Sequence, residues 1–305
     1  MPGPPLIWLV LPTFDEADNI ESMVAAVRAN LPARRRILIV DDSSPDGTGK
    51  IADRLAAEHE ELEVLHRPRK EGLGPAYLAG FRTALAGGAD LILQMDSDFS
   101  HDPGDLPRLL AEAAEADLVI GSRYVRGGRV REWGPLRRAI SRGGSLYARV
   151  ILGGGVRDLT GGFKCFRRTV LEAMDLDAVG ARGYAFQIEM TYRAIRAGFR
   201  VSEIPITFRD RRNGRSKMSR AIMAEAIWRV PDLRLESRRH SAAPTLKSRA
   251  DRRSGRRPPA WSAHRSQSGA RLRRGTSSRD RAGSRSGARA PSHAPRARRS
   301  PRPSR

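Results

Sequence analysis

Two carboxylates one residue apart, Asp96 and Asp98, stand where the apolar run Leu91-Ile92-Leu93-Gln94-Met95 stops. Packing explains the run, which reads as a buried strand, but it does not call for two acids at its end. A carboxylate is seldom buried without a partner, because an unpaired charge in a low-dielectric interior is costly. Oxygen ligands of this kind suit Mg²⁺ or Mn²⁺, which commonly keep waters and bind substrate phosphates as well. Alone, Asp-x-Asp is a weak motif. Its weight comes from what gathers with it.

Two other apolar runs end in the same way. Leu6–Leu11 is followed by Pro12-Thr13-Phe14-Asp15-Glu16, and Arg36–Val40 by Asp41-Asp42-Ser43-Ser44-Pro45-Asp46-Gly47-Thr48. Ser, Asp and Pro-Asp-Gly also make ordinary turns and helix caps, and Ser44–Gly47 reads equally well as a turn alone. Local turn chemistry does not account for Asp42 and Asp98 at one edge, where uncompensated acids repel. A cation together with hydrogen-bonding sugar and base groups would relieve that repulsion.

The elements that position these residues alternate between strand and helix. Strands are expected at Leu6–Leu11, Arg36–Val40, Glu63–His66, Asp90–Met95 and Asp117–Gly121. Helices are expected over Ala17–Asn30, Thr48–His59, Pro75–Leu85 and Gly104–Glu115. This rhythm predicts an α/β domain with a mainly parallel sheet and helices on both faces. Ligands of such sheets bind at the carboxyl ends of the strands, so the three polar clusters converge on one rim. A dinucleotide fold is excluded, because no Gly-x-Gly-x-x-Gly follows the first strand and the spacing around Gly72-Leu73-Gly74 is wrong. A Walker-type loop is missing too.

Composition divides the chain at about residue 234. Residues 235–305 carry 21 Lys and Arg against 3 acids, whereas residues 1–234 carry 35 against 31. The first part suffices for one domain with a full core. The second is rich in Arg, Ser, Pro, Ala and Gly and reads as a disordered tail, since it has too little apolar surface to offset its ordering entropy. A shifted reading frame downstream of Arg234 would give a similar composition. The single cysteine, Cys165, excludes an internal disulfide framework and fits a reducing compartment, with the side chain expected as a small apolar strand residue. Met1–Leu11 lacks the basic region of a secretory signal, and no run of about 18 apolar residues is present to span a bilayer. The expectation is a soluble or membrane-surface protein.

With these motifs assembled, the chain resembles the family 2 inverting glycosyltransferases of the GT-A fold, and within them the dolichol-phosphate (polyprenol-phosphate) mannosyltransferases. The match runs from about Ile7 to Trp228 through the clusters above, Gly72–Tyr77, Met95–His101, Gly121–Tyr124, Asp158–Phe163, and Asp210-Arg211 through Ser216-Lys217. The resemblance implies inverting transfer of mannose from GDP-mannose to a polyprenyl phosphate. It implies that Pro12, Phe14, Glu16, Val40 and Asp42 border the nucleotide and that Ser97 lines it. Asp96 and Asp98 would hold Mg²⁺ or Mn²⁺ against the diphosphate, Asp98 and Arg123 acting in catalysis. Arg123, Arg211 and Lys217 would grip the donor diphosphate and the acceptor phosphate. An acceptor that is already ionised needs no general base.

A lipid acceptor gives meaning to Gly134–Gly153, where Leu136, Ile140, Tyr147, Val150 and Ile151 alternate with Arg137, Arg138, Arg142 and Arg149. Such a basic amphipathic stretch suits a membrane interface, and Gly143-Gly144 predicts two short helices. Met218–Val230 is a second candidate surface helix. The expected location is the cytoplasmic, inner face of the membrane, with a membrane-embedded partner protein as a candidate anchor and no specific nucleic acid. Phe14 stands where the family commonly has tyrosine, and Ser43 where glycine is usual, so the backbone at 43 should avoid positive φ. Two rivals remain. One is a sister enzyme using UDP-glucose or another nucleotide sugar. The other is a nucleic-acid or membrane tether acting through the basic tail, although Trp261 is the tail's one aromatic for base stacking.

Overall fold

The computed structural model describes residues 3–153, 155–181, 183–210 and 228–235. The tail assigned to residues 235–305 therefore lies, after Leu235, outside the described residues, as do Arg211, Lys217 and most of Met218–Val230. The chain runs β1 (Ile7–Thr13), α1 (Ile20–Asn30), β2 (Arg35–Asp41), α2 (Thr48–Glu58), β3 (Leu62–His66), α3 (Leu73–Ala86) and β4 (Leu91–Gln94). It continues with α4 (Leu106–Glu112), β5 (Leu118–Ser122), β6 (Arg129–Val130), α5 (Pro135–Leu152), β7 (Lys164–Arg167), α6 (Arg168–Glu172), α7 (Tyr184–Arg196), β8 (Val201–Pro205) and β9 (Thr207–Phe208). Residues 228–235 are also helical.

Seven strands form one sheet in the order β3-β2-β1-β4-β7-β5-β8, and β6 pairs with β9 beside it. Strands β3, β2, β1 and β4 are parallel to one another, as are β5 and β8, while β7 runs antiparallel between β4 and β5. The apolar runs are continuous because both faces of the sheet are covered. In β1, Trp8 and Val10 join the core beneath α3 and α7, whereas Ile7, Leu9 and Leu11 join the core beneath α1, α2 and α4. Cys165 packs in the second core, and burial pushes its thiol up to about 12. It is a space-filling strand residue, as expected.

The sheet register brings the polar clusters together. Thr13 lies beside Asp41, and Val10 beside Gln94. The amide of Asp42 donates to the Thr13 carbonyl at 3.0 Å, and Ser97 Oγ donates to the Pro12 carbonyl at 3.0 Å. The first and second strand ends are thus tied to each other, and the first to the fourth.

Two sequence expectations are corrected. Gly143-Gly144 does not divide the amphipathic segment, for α5 is one helix of 18 residues. Both glycines are exposed with nothing near them, so they cost propensity without forcing a break. Ser43 does adopt positive φ, at 62°. The Asp41 carboxylate accepts from the Ser44 amide and from Ser44 Oγ at 2.6 Å, and this local clasp holds the turn against the steric cost. No helix among the described residues is long and apolar enough to cross a membrane.

One substitution should act in opposite directions at two helices. A methyl at Gly80 would overlap the side chain of Val10, where α3 lies directly on β1. Gly80→Ala should therefore cost roughly 1–3 kcal/mol and lower the melting temperature by several degrees. Gly143→Ala should stabilise by about 0.5–1 kcal/mol. Thermal denaturation checks both, and equal effects would contradict the packing described.

Candidate active site

The rim formed by the ends of β1, β2 and β4 holds most of the residues singled out from sequence. Pro12, Val40, Asp42, Ser97 and Asp98 are buried there, Phe14 is half-buried, and Glu16 is buried at the start of α1. Lys70 Nζ lies 3.4 Å from the Phe14 ring centroid, so that ring already carries a cation on one face. Glu16 accepts from Asn19 Nδ2 at 2.8 Å, and its amide donates to Thr48 Oγ1 at 3.0 Å, joining α1 to α2. Asp46 completes that junction by accepting from the Ala17 and Thr48 amides and from Thr48 Oγ1. Burial works against its charge, but these hydrogen bonds prevail and its pKa falls below the ordinary value. The Ser44–Gly47 stretch is thus a turn with a latch.

Asp42 is not an uncompensated acid. Its carboxylate pairs with Arg67 and accepts from the amides of Glu71 and Gly72 at 3.1 and 3.0 Å. Sequence alone could not find Arg67, because nothing in its surroundings marks it as buried. The pair fastens the end of β2 to the loop that leads into α3.

Asp96 keeps 30% of its side chain exposed. Tyr77 Oη, from α3, donates to its Oδ1 at 2.8 Å. Asp98 is 4% exposed and accepts from the Ser100 amide at 3.0 Å. The tight turn between strand and helix bends sharply enough to place Phe99 at φ 60°. His101 is buried against Phe163, 5.1 Å between centroids, and accepts the Asp96 amide at Nδ1. Burial lowers its pKa more than Asp96 and Asp98 raise it, so the ring is a neutral brace. Asp96 and Asp98 are the carboxylates that could hold a divalent cation. Among the described residues no group of three or more His, Cys, Asp or Glu does so unaided. Hard carboxylate oxygens, few in number and fixed by neighbours, fit an ion that completes its shell with water and phosphate.

Arg123 is buried at the end of β5 rather than extended as a solvated charge. Its Nε and Nη2 donate to Asp158 at 2.8 and 2.7 Å, and Nη2 also reaches Thr160 Oγ1 at 2.7 Å. Burial disfavours the Asp158 charge, but the guanidinium outweighs it and holds that carboxyl below its ordinary pKa. Glu203 on β8 anchors the same loop by accepting the amides of Arg157 and Asp158.

The sequence reading passed over a buried polar cluster behind Asp96. Lys164 on β7 is paired in register with Gln94 on β4. Its Nζ donates to the carbonyl and to Oε1 of Gln187, on α7, at 2.8 and 2.9 Å. Gln94 Nε2 donates to the same Oε1 at 2.8 Å. Desolvation lowers the Lys164 pKa to about 7, with Asp158 opposing. A lysine flanked by Phe163 and Cys165 in a short apolar run was the available signal.

The family model for glycosyl transferase family 2 matches residues 8–175. The undecaprenyl-phosphate mannosyltransferase of Micrococcus luteus is 47% identical over 224 residues, covering 73% of this chain and 92% of that protein. The polyprenol monophosphomannose synthase of Mycolicibacterium smegmatis is 47% identical over 232 residues, covering 75% and 87%. Among solved structures, glucosyl-3-phosphoglycerate synthase from Mycobacterium tuberculosis with Mn²⁺, UDP-glucose and phosphoglyceric acid superposes at a TM-score of 0.54. It is 21% identical, with 74% of this chain and 80% of that one covered. The same enzyme with Mg²⁺ and UDP gives 0.55 at 22% identity, with 74% and 79% covered. These likenesses establish the GT-A fold.

The lysine supplies a pH test. Because its folded pKa lies below the ordinary 10.5, the unfolded chain binds the extra proton between about 7 and that value, and stability contributed by Lys164 rises with pH across the window. Lys164→Met should lose this increment. Denaturant unfolding at pH 7 and pH 10 should show the variant falling behind wild type by roughly 2–4 kcal/mol at the higher pH. A difference independent of pH would place the lysine in a different protonation state.

Proposed function

Because the chain belongs to glycosyl transferase family 2, we propose that it transfers mannose, with inversion, from GDP-mannose to a polyprenyl phosphate. The observation that carries this reading is the meeting of Asp96, Ser97 and Asp98 with the ends of β1 and β2, in a chain whose relatives are named for joining mannose to a polyprenyl phosphate. The nucleotide lies along Pro12, Phe14, Glu16, Val40 and Asp42, where Phe14 offers a ring face. Mg²⁺ or Mn²⁺ bound at Asp96 and Asp98 supplies charge neutralisation at the diphosphate.

The chain's own residues contribute position and field. Tyr77 fixes the Asp96 carboxylate, and the Ser100 amide fixes that of Asp98. An acceptor phosphate oxygen attacks the anomeric carbon as the bond to the leaving diphosphate breaks, and the electron pair departs on the diphosphate oxygen. Phosphate monoesters are largely ionised at neutral pH, so no side chain must remove a proton. Arg123, set rigidly by Asp158 and Thr160, holds positive charge at this end of the sheet. Arg211 and Lys217 remain proposed phosphate ligands.

The lipid half of the acceptor has a natural seat on α5. Ser145, Ala148 and Leu152 are its buried face, while Leu136, Ile140, Leu146 and Val150 project from the opposite side at 74, 47, 55 and 68% exposure. Arg138, Arg142 and Arg149 flank that outward stripe and are exposed. Apolar side chains bordered by arginines suit an anionic membrane surface. The helix is tied to the site through Tyr124 Oη to Ser141 Oγ at 2.7 Å and Ser145 Oγ to Thr160 Oγ1 at 3.1 Å. This reading puts the enzyme at the inner face of the membrane.

Transfer of radiolabel from GDP-mannose, but not from UDP-glucose, to a short polyprenyl phosphate tests the donor; preference for UDP-glucose overturns it. Asp96→Ala and Asp98→Ala should each lower metal-dependent transfer by at least a hundredfold, and substantial residual activity would remove the metal role. Replacing Leu136 and Val150 together by Asp should abolish sedimentation with anionic liposomes at physiological salt. Unchanged sedimentation would leave α5 out of the interface.

A further inference from the structure

Gln187 is 3% exposed, yet its amide nitrogen has no hydrogen-bond partner. A buried unpaired donor is costly, and in a site it marks the place of a missing acceptor. The orientation of the amide is not arbitrary. Lys164 Nζ and Gln94 Nε2 both donate to one atom of it, which must be the oxygen. Nε2 is thereby turned the other way.

It is turned toward Gly162. The point that a Cβ would occupy on Gly162 lies 3.6 Å from Gln187 Nε2, 3.6 Å from Asp96 Oδ2 and 3.5 Å from His101 Cε1. A donor and an acceptor thus face the same glycine, each within contact distance of where its side chain would begin. A phosphate oxygen only accepts, and would face the Asp96 carboxylate. A hydroxyl can accept from the amide and donate to the carboxylate together.

We propose that Gln187 is a sugar-binding residue, its Nε2 donating to a hydroxyl of the transferred sugar that itself donates to Asp96 Oδ2. This rests on the nucleotide-sugar reading above and adds a contact from α7. Lys164 and Gln94 act through Gln187 as positioning residues. A methyl at Gly162 would contact both groups.

The test compares binding of GDP-mannose with binding of GDP, by calorimetry on the full chain with Mn²⁺ held constant. Gln187→Met keeps the volume and removes the donor. It should weaken GDP-mannose roughly three- to tenfold and leave GDP unchanged. Gly162→Ala places a methyl at ordinary contact distance from Gln187 Nε2 and Asp96 Oδ2 and leaves the lysine cluster intact, so it should give the same selective loss. Equal weakening of both ligands by both variants would show a merely structural role and overturn the inference, as would no change in either. Wild-type chain that binds GDP but discriminates no sugar overturns the inference alone, and chain that binds no nucleotide overturns the underlying reading with it.

Discussion

Asp42, Asp98 and Asp158 are each less than 5% exposed at the carboxyl end of the sheet, and a carboxylate placed there has to be compensated or the rim does not hold together. The compensation differs at each position. Arg67 and two loop amides serve Asp42, a guanidinium fork serves Asp158, and the Ser100 amide supports Asp98. The first two pairings are complete within the protein and lock loops to strands. Asp96 differs in keeping 30% of its side chain exposed. Rigid ion pairs flank it on both sides of the rim.

Strain is concentrated on the same rim. Asp15, Ser43 and Phe99 follow β1, β2 and β4, and all three have φ between 54° and 62°. Positive φ in residues with side chains costs about 1–2 kcal/mol each. It persists where surrounding contacts over-determine the turn, as the Asp41 clasp on Ser44 does beside Ser43. The sharp turns bring the three strand ends within reach of one another.

Much of this was legible in the sequence because it follows from periodicity. Continuous apolar runs ended by acids give β1, β2 and β4, and the intervening helical periods give α1 to α3. The antiparallel β7 was not legible, since Lys164–Arg167 is four residues long with a charge at each end, and a lysine in such a run reads as exposed. Its burial depends on Gln94 and Gln187, which stand about 70 residues before and 23 residues after it. Pairing partners at that separation leave no local pattern, which is also why the pairings of Arg67 with Asp42 and of Arg123 with Asp158 emerged only in three dimensions. The glycine pair in α5 misled because propensity is a weak term beside tertiary packing, and Ser145, Ala148 and Leu152 carry the helix across it.

The account depends on Asp96 and Asp98 meeting a cation and a nucleotide diphosphate together. Anomalous diffraction from crystals of the chain soaked with Mn²⁺ and GDP measures this directly. The account predicts a manganese peak about 2.0–2.4 Å from a carboxylate oxygen of Asp96 or Asp98, with diphosphate oxygens in the same shell. Manganese bound elsewhere, or GDP seated away from the ends of β1, β2 and β4, would contradict it.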